Sequence, residues 1–187
     1  RLYYKHVAPY VRARAAYAGR RNELLVKIVT FLYRAVSEKF VMPLVMAFYE
    51  LNVSRFSGAT TSDQHRAEAE AHLANTEQIW VEELSGEEFG ILERLPTNYA
   101  ATTFRICRDL SLRQEPDNSV GRFYLGRDEL AKRLGSSSAS AAYAINALTE
   151  HGAIEVILKG GQYSKEIRNA RATTYKWLPT ITKQPTT

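Results

Sequence analysis

The sequence predicts a mainly α-helical protein, in which a helical bundle module precedes a smaller domain of three helices and a short β-sheet. Up to about residue 113, apolar residues recur at the 3.6-residue spacing of amphipathic helices. From Gly121 onward, short aromatic and β-branched runs alternate with helical segments and turn glycines. The 187 residues, 45% of them hydrophobic, suffice for two packed domains, and we expect these at 1–96 and 97–179, with a flexible tail at 180–187.

The first two helices of the module are amphipathic. Apolar residues recur at helical spacing after Asn22, whose side-chain oxygen is placed to cap this helix. A second helix is expected over about 39–51, with Pro43 in its first turn, where a missing N–H costs little. The Gly-, Ser- and Thr-rich residues 52–62 then interrupt the pattern.

A long and mostly polar helix follows. The Ala- and Glu-rich composition of residues 63–84 favours a helix, and Ser62 precedes it as a cap. We expect this helix to pack on one side only and to be solvated on the other. The apolar residues available for that packing form a thin seam: Leu73, Ile79, Trp80 and Leu84.

Two further helices complete the central part of the chain. Ser85 and Glu88 have the spacing of a capping box, in which each side chain bonds the backbone N–H of the other, and Pro96 ends the helix that they start. The next helix spans about 98–113 and carries Cys107, the single cysteine, on its apolar side. Without a second cysteine it forms no internal disulfide, and we expect a buried, unreactive thiol.

The last part of the chain combines short strands with two helices. A strand RFYL precedes a helix RDELAKRL, a turn at Gly135, and a second helix that ends at Gly152 in a left-handed conformation. The strands AIEVILK and ATTYKWL then form a hairpin joined by GGQYSKEIRN. With the helix at 98–113 in first place, this order describes a winged helix-turn-helix whose wing is the hairpin.

The second helix of this motif has an uncharged outer face. Helical spacing directs Ala141, Ala144, Ile145 and Leu148 to the core. Asparagine can pair with adenine in the major groove, but the helix has no Arg to bind guanine. The residues expected to face outward are Ala139, Ser140, Ala142, Tyr143 and Asn146.

Positive charge surrounds this neutral helix and is partitioned along the chain. Residues 1–60 hold ten Lys/Arg against three acids, residues 61–96 two against nine, and residues 97–187 thirteen against eight. Two basic ends suggest an extended polyanion as partner, although many winged helices bind proteins instead. The cations expected to contact phosphates around the helix are Arg127, Lys132 and Arg133 before it and Lys159, Lys165, Arg168 and Arg171 on the wing.

The sequence offers no catalytic constellation. The four aspartates are scattered without an Asp-x-Asp pair, and the chain has no phosphate-binding G-x-x-x-x-G-K-[ST] loop. His65, Glu68 and His72 can share one helix face, but a metal site there lacks further ligands, and we favour a solvated face. We therefore expect no metal or cofactor from the residues themselves.

The amino-terminal segment interleaves tyrosines with arginines. Such a mixture is expected where bases stack on rings and guanidinium groups hold phosphates. Packing of the same tyrosines on the following helices explains them equally well. The residues concerned are Tyr3, Tyr4, Tyr10 and Tyr17 with Arg12, Arg14, Arg20 and Arg21.

The stretch Gly-Arg-Arg-Asn at 19–22, followed by an apolar helix and a second helix ending at Asn52, resembles the primase C-terminal helical module of primase-polymerases from plasmids and mobile elements. The later LERLPTNYAATTFRICRDLSL and RATTYKWL resemble the winged-helix tails of bacterial replication proteins of that sort. The resemblance covers about residues 15–178.

The resemblance implies an accessory role. In that family the helical module holds the template and the initiating nucleotide, a nucleoside triphosphate with Mg²⁺, beside a separate catalytic domain. Arg21 and Asn22 are the matching positions here, although Asn22 can equally serve as a helix cap alone. The catalytic carboxylates of the family are absent from this sequence, so polymerisation is not expected of it alone.

Our leading hypothesis is a cytoplasmic DNA-binding fragment of a replication protein, which positions template and primer for an upstream primase-polymerase domain. In it, Arg20, Arg21 and Lys27 contact phosphates and Tyr17 stacks on a base. The expected partners are single-stranded template or primed duplex DNA, the upstream domain and a replicative helicase. No run approaches the roughly 18 apolar residues of a membrane span, so no membrane partner is expected.

Two other functions fit the same residues. The first is a regulator or plasmid replication initiator that recognises a specific duplex sequence through Tyr143 and Asn146. The second is a docking module that recruits a helicase or another protein through the neutral helix.

Overall fold

The structure of the chain, a computed structural model, is mainly helical with a small three-stranded antiparallel sheet, as the sequence predicts. Backbone contacts divide the chain into two compact units, Arg1–Glu82 and Glu83–Thr187. Within the described ranges, no helix has both the length and the apolar character needed to cross a membrane. The described residues are 7–8, 21–56, 60–112, 121–160 and 172–180.

Several predicted site residues lie outside the described residues. They belong to the amino-terminal basic segment and to the loop between the last two strands. These residues are Tyr17, Arg20, Lys165, Arg168 and Arg171.

The first unit contains three α-helices within its described residues, named α1 (Arg21–Ala35), α2 (Glu38–Asn52) and α3 (Ser62–Glu82), and a 3₁₀ turn at Val53–Arg55. Helix α1 packs against both α2 and α3. The apolar sides of α1 and α2 form the core of this unit, which includes Leu25, Ile28, Val29, Leu32, Val41, Val45 and Phe48.

Two predictions for the first helices are wrong in detail. Helix α1 already begins at Arg21, so Asn22 lies in the first turn and not at the cap position. Pro43 lies inside α2, beyond its first turn, so α2 lacks one of its internal N–H donors. The apolar residues around Pro43 remain packed, because tertiary contacts outweigh local propensity in a buried helix.

The start of α3 is one residue earlier than predicted. Thr61, and not Ser62, forms a reciprocal cap: its Oγ1 accepts from the Gln64 N–H at 3.2 Å, and its own N–H donates to Gln64 Oε1 at 3.0 Å. This capping box was not predicted, although the Thr-x-x-Gln spacing is visible in the sequence.

The buried side of α3 differs from the predicted seam. Trp80 is buried against Tyr33, with ring centroids 6.2 Å apart, and Leu73 is partly buried, but Ile79 is 43% exposed. Leu84 lies beyond the end of α3. The other buried side chains of the helix are small or polar: His65, Ala69 and Thr76. Helix α1 supplies polar partners for two of them, Arg21 for His65 and Thr30 for Thr76.

The second unit contains four α-helices and three strands within its described residues, and the predicted elements are confirmed. Ser85 and Glu88 form the predicted capping box, and Gly152 has a left-handed φ of 74°. The elements are α4 (Gly86–Arg94), α5 (Asn98–Leu112), β1 (Arg122–Leu125), α6 (Arg127–Leu134), α7 (Ser138–Glu150), β2 (Ile154–Leu158) and β3 (Thr173–Trp177).

The sheet has the strand order β1-β3-β2, and both pairings are antiparallel. Its inner face packs on α5, where the rings of Phe104 and Trp177 meet edge to face at 4.8 Å. Phe123 and Tyr175 stack beside them across β1 and β3. Strand β2, which precedes residues 161–171, pairs directly with β3, which follows them.

The division between the units falls earlier than the expected boundary after residue 96. Helix α4 belongs to the second unit, because Glu88 on α4 forms an ion pair with Arg108 on α5. Both side chains are buried. This pair links two helices that the sequence analysis assigned to different domains.

Candidate nucleic-acid interface

The corner between α6 and α7 is closed by local hydrogen bonds. Gly135 ends α6 with a left-handed φ of 59°, which only glycine adopts readily. Ser137 caps α7, its Oγ accepting the Ser140 N–H at 3.1 Å. The Ser138 hydroxyl donates to Asp128 Oδ1 at 2.8 Å and so joins the start of α7 to the first turn of α6.

Helix α7 has the two faces that its spacing predicts. The four residues assigned to the core, Ala141, Ala144, Ile145 and Leu148, are buried. On the opposite face Tyr143 is 55% exposed and Asn146 is exposed. Ser140 is half-buried, and its Oγ lies 3.0 Å from that of Ser137, so part of its bonding capacity is used within the helix cap.

The cations predicted to surround α7 differ in their exposure to solvent and in their ion pairing. Arg127 and Lys132 on α6 and Lys159 after β2 are exposed, and none of them forms an ion pair with another described residue. Arg133 is half-buried, and its Nε donates to Glu129 Oε1 at 3.1 Å. The charges of Arg127, Lys132 and Lys159 are thus open to solvent, whereas that of Arg133 is partly offset by Glu129.

The predicted cations of the first unit are engaged within that unit. The guanidinium of Arg21 pairs with Glu68 and donates to Nδ1 of His65 at 3.0 Å, and its side chain is only 12% exposed. Lys27 pairs with Glu23 one turn earlier on α1. The basic amino-terminal region and the acidic middle therefore neutralise each other in part, which the separate charge counts did not show.

His65 is fully buried, so the solvated face expected for it is wrong. Its ring stacks on Tyr49 with a centroid distance of 4.7 Å. Burial, and then the positive charge of Arg21, lower the pKa of His65, so the ring is neutral. Because Nδ1 accepts from Arg21, the ring proton is on Nε2, which is buried and has no hydrogen-bond partner among the described residues.

This arrangement argues against a metal on α3. Nδ1 of His65 faces a guanidinium, which repels a metal ion, and Glu68 is already paired. Across the described ranges, no group of three or more His, Cys, Asp or Glu side chains is arranged to hold a metal ion.

The second unit contains a buried charge network that the helix spacing does not predict. Arg108 Nε donates to Glu88 Oε1 at 2.8 Å, and Arg108 Nη2 donates to the Glu83 carbonyl at 2.9 Å. The sequence signal for it is an arginine one residue after Cys107, within the buried part of α5. A charge in such a position must be paired, because burying it alone is costly.

Comparison of the chain with models of known protein families, with curated proteins and with solved structures found no match.

Proposed function

We propose that the chain is a DNA-binding accessory part of a replication protein, and that its second unit is a winged helix-turn-helix that holds duplex DNA. The observation that carries this proposal is the exposed face of α7, with the uncharged Tyr143 and Asn146, next to elements that bear the exposed cations Arg127 and Lys132. Glu150, in the last turn, is the one charged residue of this helix. The order of helices and strands and the sheet order β1-β3-β2 support the fold.

In this function the cations and the helix have different tasks. Arg127, Lys132 and Lys159 neutralise phosphates and fix the orientation of the duplex, without reading its sequence. Tyr143 and Asn146 offer hydrogen bonds to the backbone or to base edges. Because α7 carries no arginine, we expect modest sequence discrimination and strongly salt-dependent affinity.

The replication role rests on the resemblance to primase C-terminal modules and their winged-helix tails. The residues of the first unit fit the nucleotide-binding part of that resemblance poorly, because Arg21 gives its guanidinium to Glu68 and His65. Asn22 is exposed in the first turn of α1. We therefore derive no nucleotide chemistry and assign the first unit to support of the neighbouring catalytic domain.

The test measures binding of a fluorescent primed duplex to the full chain by anisotropy at several salt concentrations. Lys132→Gln and Arg127→Gln should each reduce the slope of log affinity against log salt by about 0.9, one counterion per phosphate contact. Arg94→Gln, an exposed cation at the end of α4, is the matched control and should leave the slope unchanged. A salt-independent affinity, or equal effects of all three variants, would overturn the proposal.

The same assay separates the two rival functions. A sequence-specific regulator would lose discrimination between duplexes on Tyr143→Ala and Asn146→Ala, while changes of the cations would weaken all duplexes equally. A helicase-docking module would bind its protein partner through α7, and Lys132→Gln would leave its DNA affinity unaltered.

A further inference from the structure

The outer face of the sheet presents two rows of side chains. Phe123, Tyr175 and Trp177 point to the inner side, so the intervening residues of β1 and β3 point outward. The strand register aligns them across the sheet. One row contains Arg122, Lys176 and Glu155, and the other contains Tyr124, Thr174 and Leu158.

The second row forms an exposed apolar depression. Tyr124 is 60% exposed and Leu158 is 55% exposed. With Thr174 and Ala172 they line a cavity of about 420 Å³, within the range of roughly 300–1,000 Å³ in which proteins bind small organic groups. A tyrosine ring at such a cavity offers a stacking partner to one flat aromatic group.

The first row adds positive charge beside this ring. Arg122 and Lys176 are directly opposite in register, and both are exposed. Like charges in this position destabilise a sheet. Glu155, opposite Lys176 on the other side, offsets only one of them, so the row keeps a net positive charge.

The two rows suit different parts of a nucleotide. Arg122 and Tyr124 are two residues apart on β1, which corresponds to about 6.7 Å. Single strands bind proteins by stacking bases on aromatic rings and placing phosphates against nearby cations. A protein partner would need an apolar side chain and acidic side chains at this same spacing, whereas every nucleotide of a single strand carries both a flat base and a phosphate.

We propose that the outer face of the sheet binds single-stranded nucleic acid, with one base stacked on Tyr124 in the cavity and the adjoining phosphates held by Arg122 and Lys176. None of these residues belongs to the exposed face of α7. The proposal does not depend on duplex binding at α7. It gives the chain a second function, the binding of single strands.

The test uses anisotropy of a labelled oligothymidylate of about 12 nucleotides, within the usual range of site sizes, with the full chain. Tyr124→Ala should weaken binding about 5- to 150-fold, the measured range for one stacked base, whereas Tyr124→Phe keeps the ring and the affinity. Phe89→Ala, which removes an aromatic residue that is 40% exposed on α4, is the matched control and should change nothing.

A second measurement addresses the charges. Arg122→Gln and Lys176→Gln should each lower the salt slope by about 0.7, the value for a single strand, and Arg94→Gln should not. Tyr124→Ala should also keep the affinity for a fully paired, blunt-ended duplex at α7, so that failure of this proposal differs from failure of the proposed function.

Two outcomes overturn the proposal. In the first, Tyr124→Ala and Phe89→Ala bind oligothymidylate as tightly as the unaltered chain. In the second, Leu158→Glu turns a concentration-dependent dimer into a monomer without altering oligothymidylate binding, which would make the face an interface between two copies.

Discussion

Arg108 and Glu88 form an ion pair that is closed to solvent, with 2.8 Å between Arg108 Nε and Glu88 Oε1 and side-chain exposures of 1% and 0%. Glu88 also accepts the Ser85 N–H at 2.9 Å through its other oxygen. One carboxylate therefore completes a helix cap and neutralises a buried guanidinium, and the loss of its charge affects both α4 and α5.

Glu88→Gln should destabilise the second unit by about 3 kcal/mol, because glutamine preserves the capping box but leaves Arg108 without its closest counter-charge. Urea unfolding measures this in a Trp80→Phe background, where Trp177 is the single tryptophan and reports on the second unit. Glu93→Gln, an exposed change on the same helix, should stay within about 0.5 kcal/mol. Equal unfolding midpoints for the two variants would contradict the role of the pair.

The stability of the first unit should fall in mild acid because of His65. Burial and Arg21 lower the pKa of His65 below its unfolded value of 6.5, so the unfolded chain binds a proton more readily. The contribution of the neutral His65 ring to the free energy of unfolding is complete above pH 6.5 and is lost progressively as the pH falls below that value. Unfolding curves at about pH 7.5 and about pH 5.5, recorded through Trp80 in a Trp177→Phe background, measure this loss.

His65→Gln should flatten that decline, since glutamine does not titrate. His72→Gln, on the same helix and partly exposed, is the control and should keep the decline of the unaltered chain. If the His65→Gln variant loses as much stability in acid as the unaltered chain, the loss arises from other titratable groups.

Two glycines of the second unit should respond to alanine with opposite signs. Gly152 has a φ of 74°, and although a Cβ there meets no atom within 4 Å, the backbone conformation makes Gly152→Ala destabilising by about 1 kcal/mol. Gly90 lies in the middle of α4 with open space around it, so Gly90→Ala should stabilise by about 0.5–1 kcal/mol. Shifts of the urea midpoint in the same direction would refute this assignment.

Cys107 should react with a thiol reagent only after unfolding. The side chain is fully buried, and burial raises the pKa of its thiol well above the usual range, so the reactive thiolate is scarce and inaccessible. Absorbance with a disulfide reagent should show no prompt reaction in buffer and one equivalent in concentrated urea. Immediate stoichiometric labelling of the folded chain would be inconsistent with this burial.

The predictions that depended on local sequence agree best with the structure. The capping box at Ser85 and Glu88, the left-handed Gly152 and the two faces of α7 follow from residues within one or two helical turns of each other. Such features form from short-range hydrogen bonds and periodic burial. Most of the element boundaries of the second unit were therefore predictable.

The residues whose burial or ion pairing was not predicted have partners that are distant in sequence. Arg21 and Glu68 are 47 positions apart, and Arg108 and Glu88 are 20 apart, so spacing rules within a helix carry no information about either pair. The burial of His65 follows from the first pair, since Arg21 supplies a donor inside the unit. Predicting a buried polar face therefore requires knowing which helices pack against each other.

The hydrogen bond from Ser138 to Asp128 joins the start of α7 to α6 within the chain itself. A recognition surface assembled in advance spends little conformational entropy when it meets its target. The duplex binding proposed for α7 should therefore follow a single diffusive encounter step, whose rate rises in proportion to protein concentration without reaching a plateau.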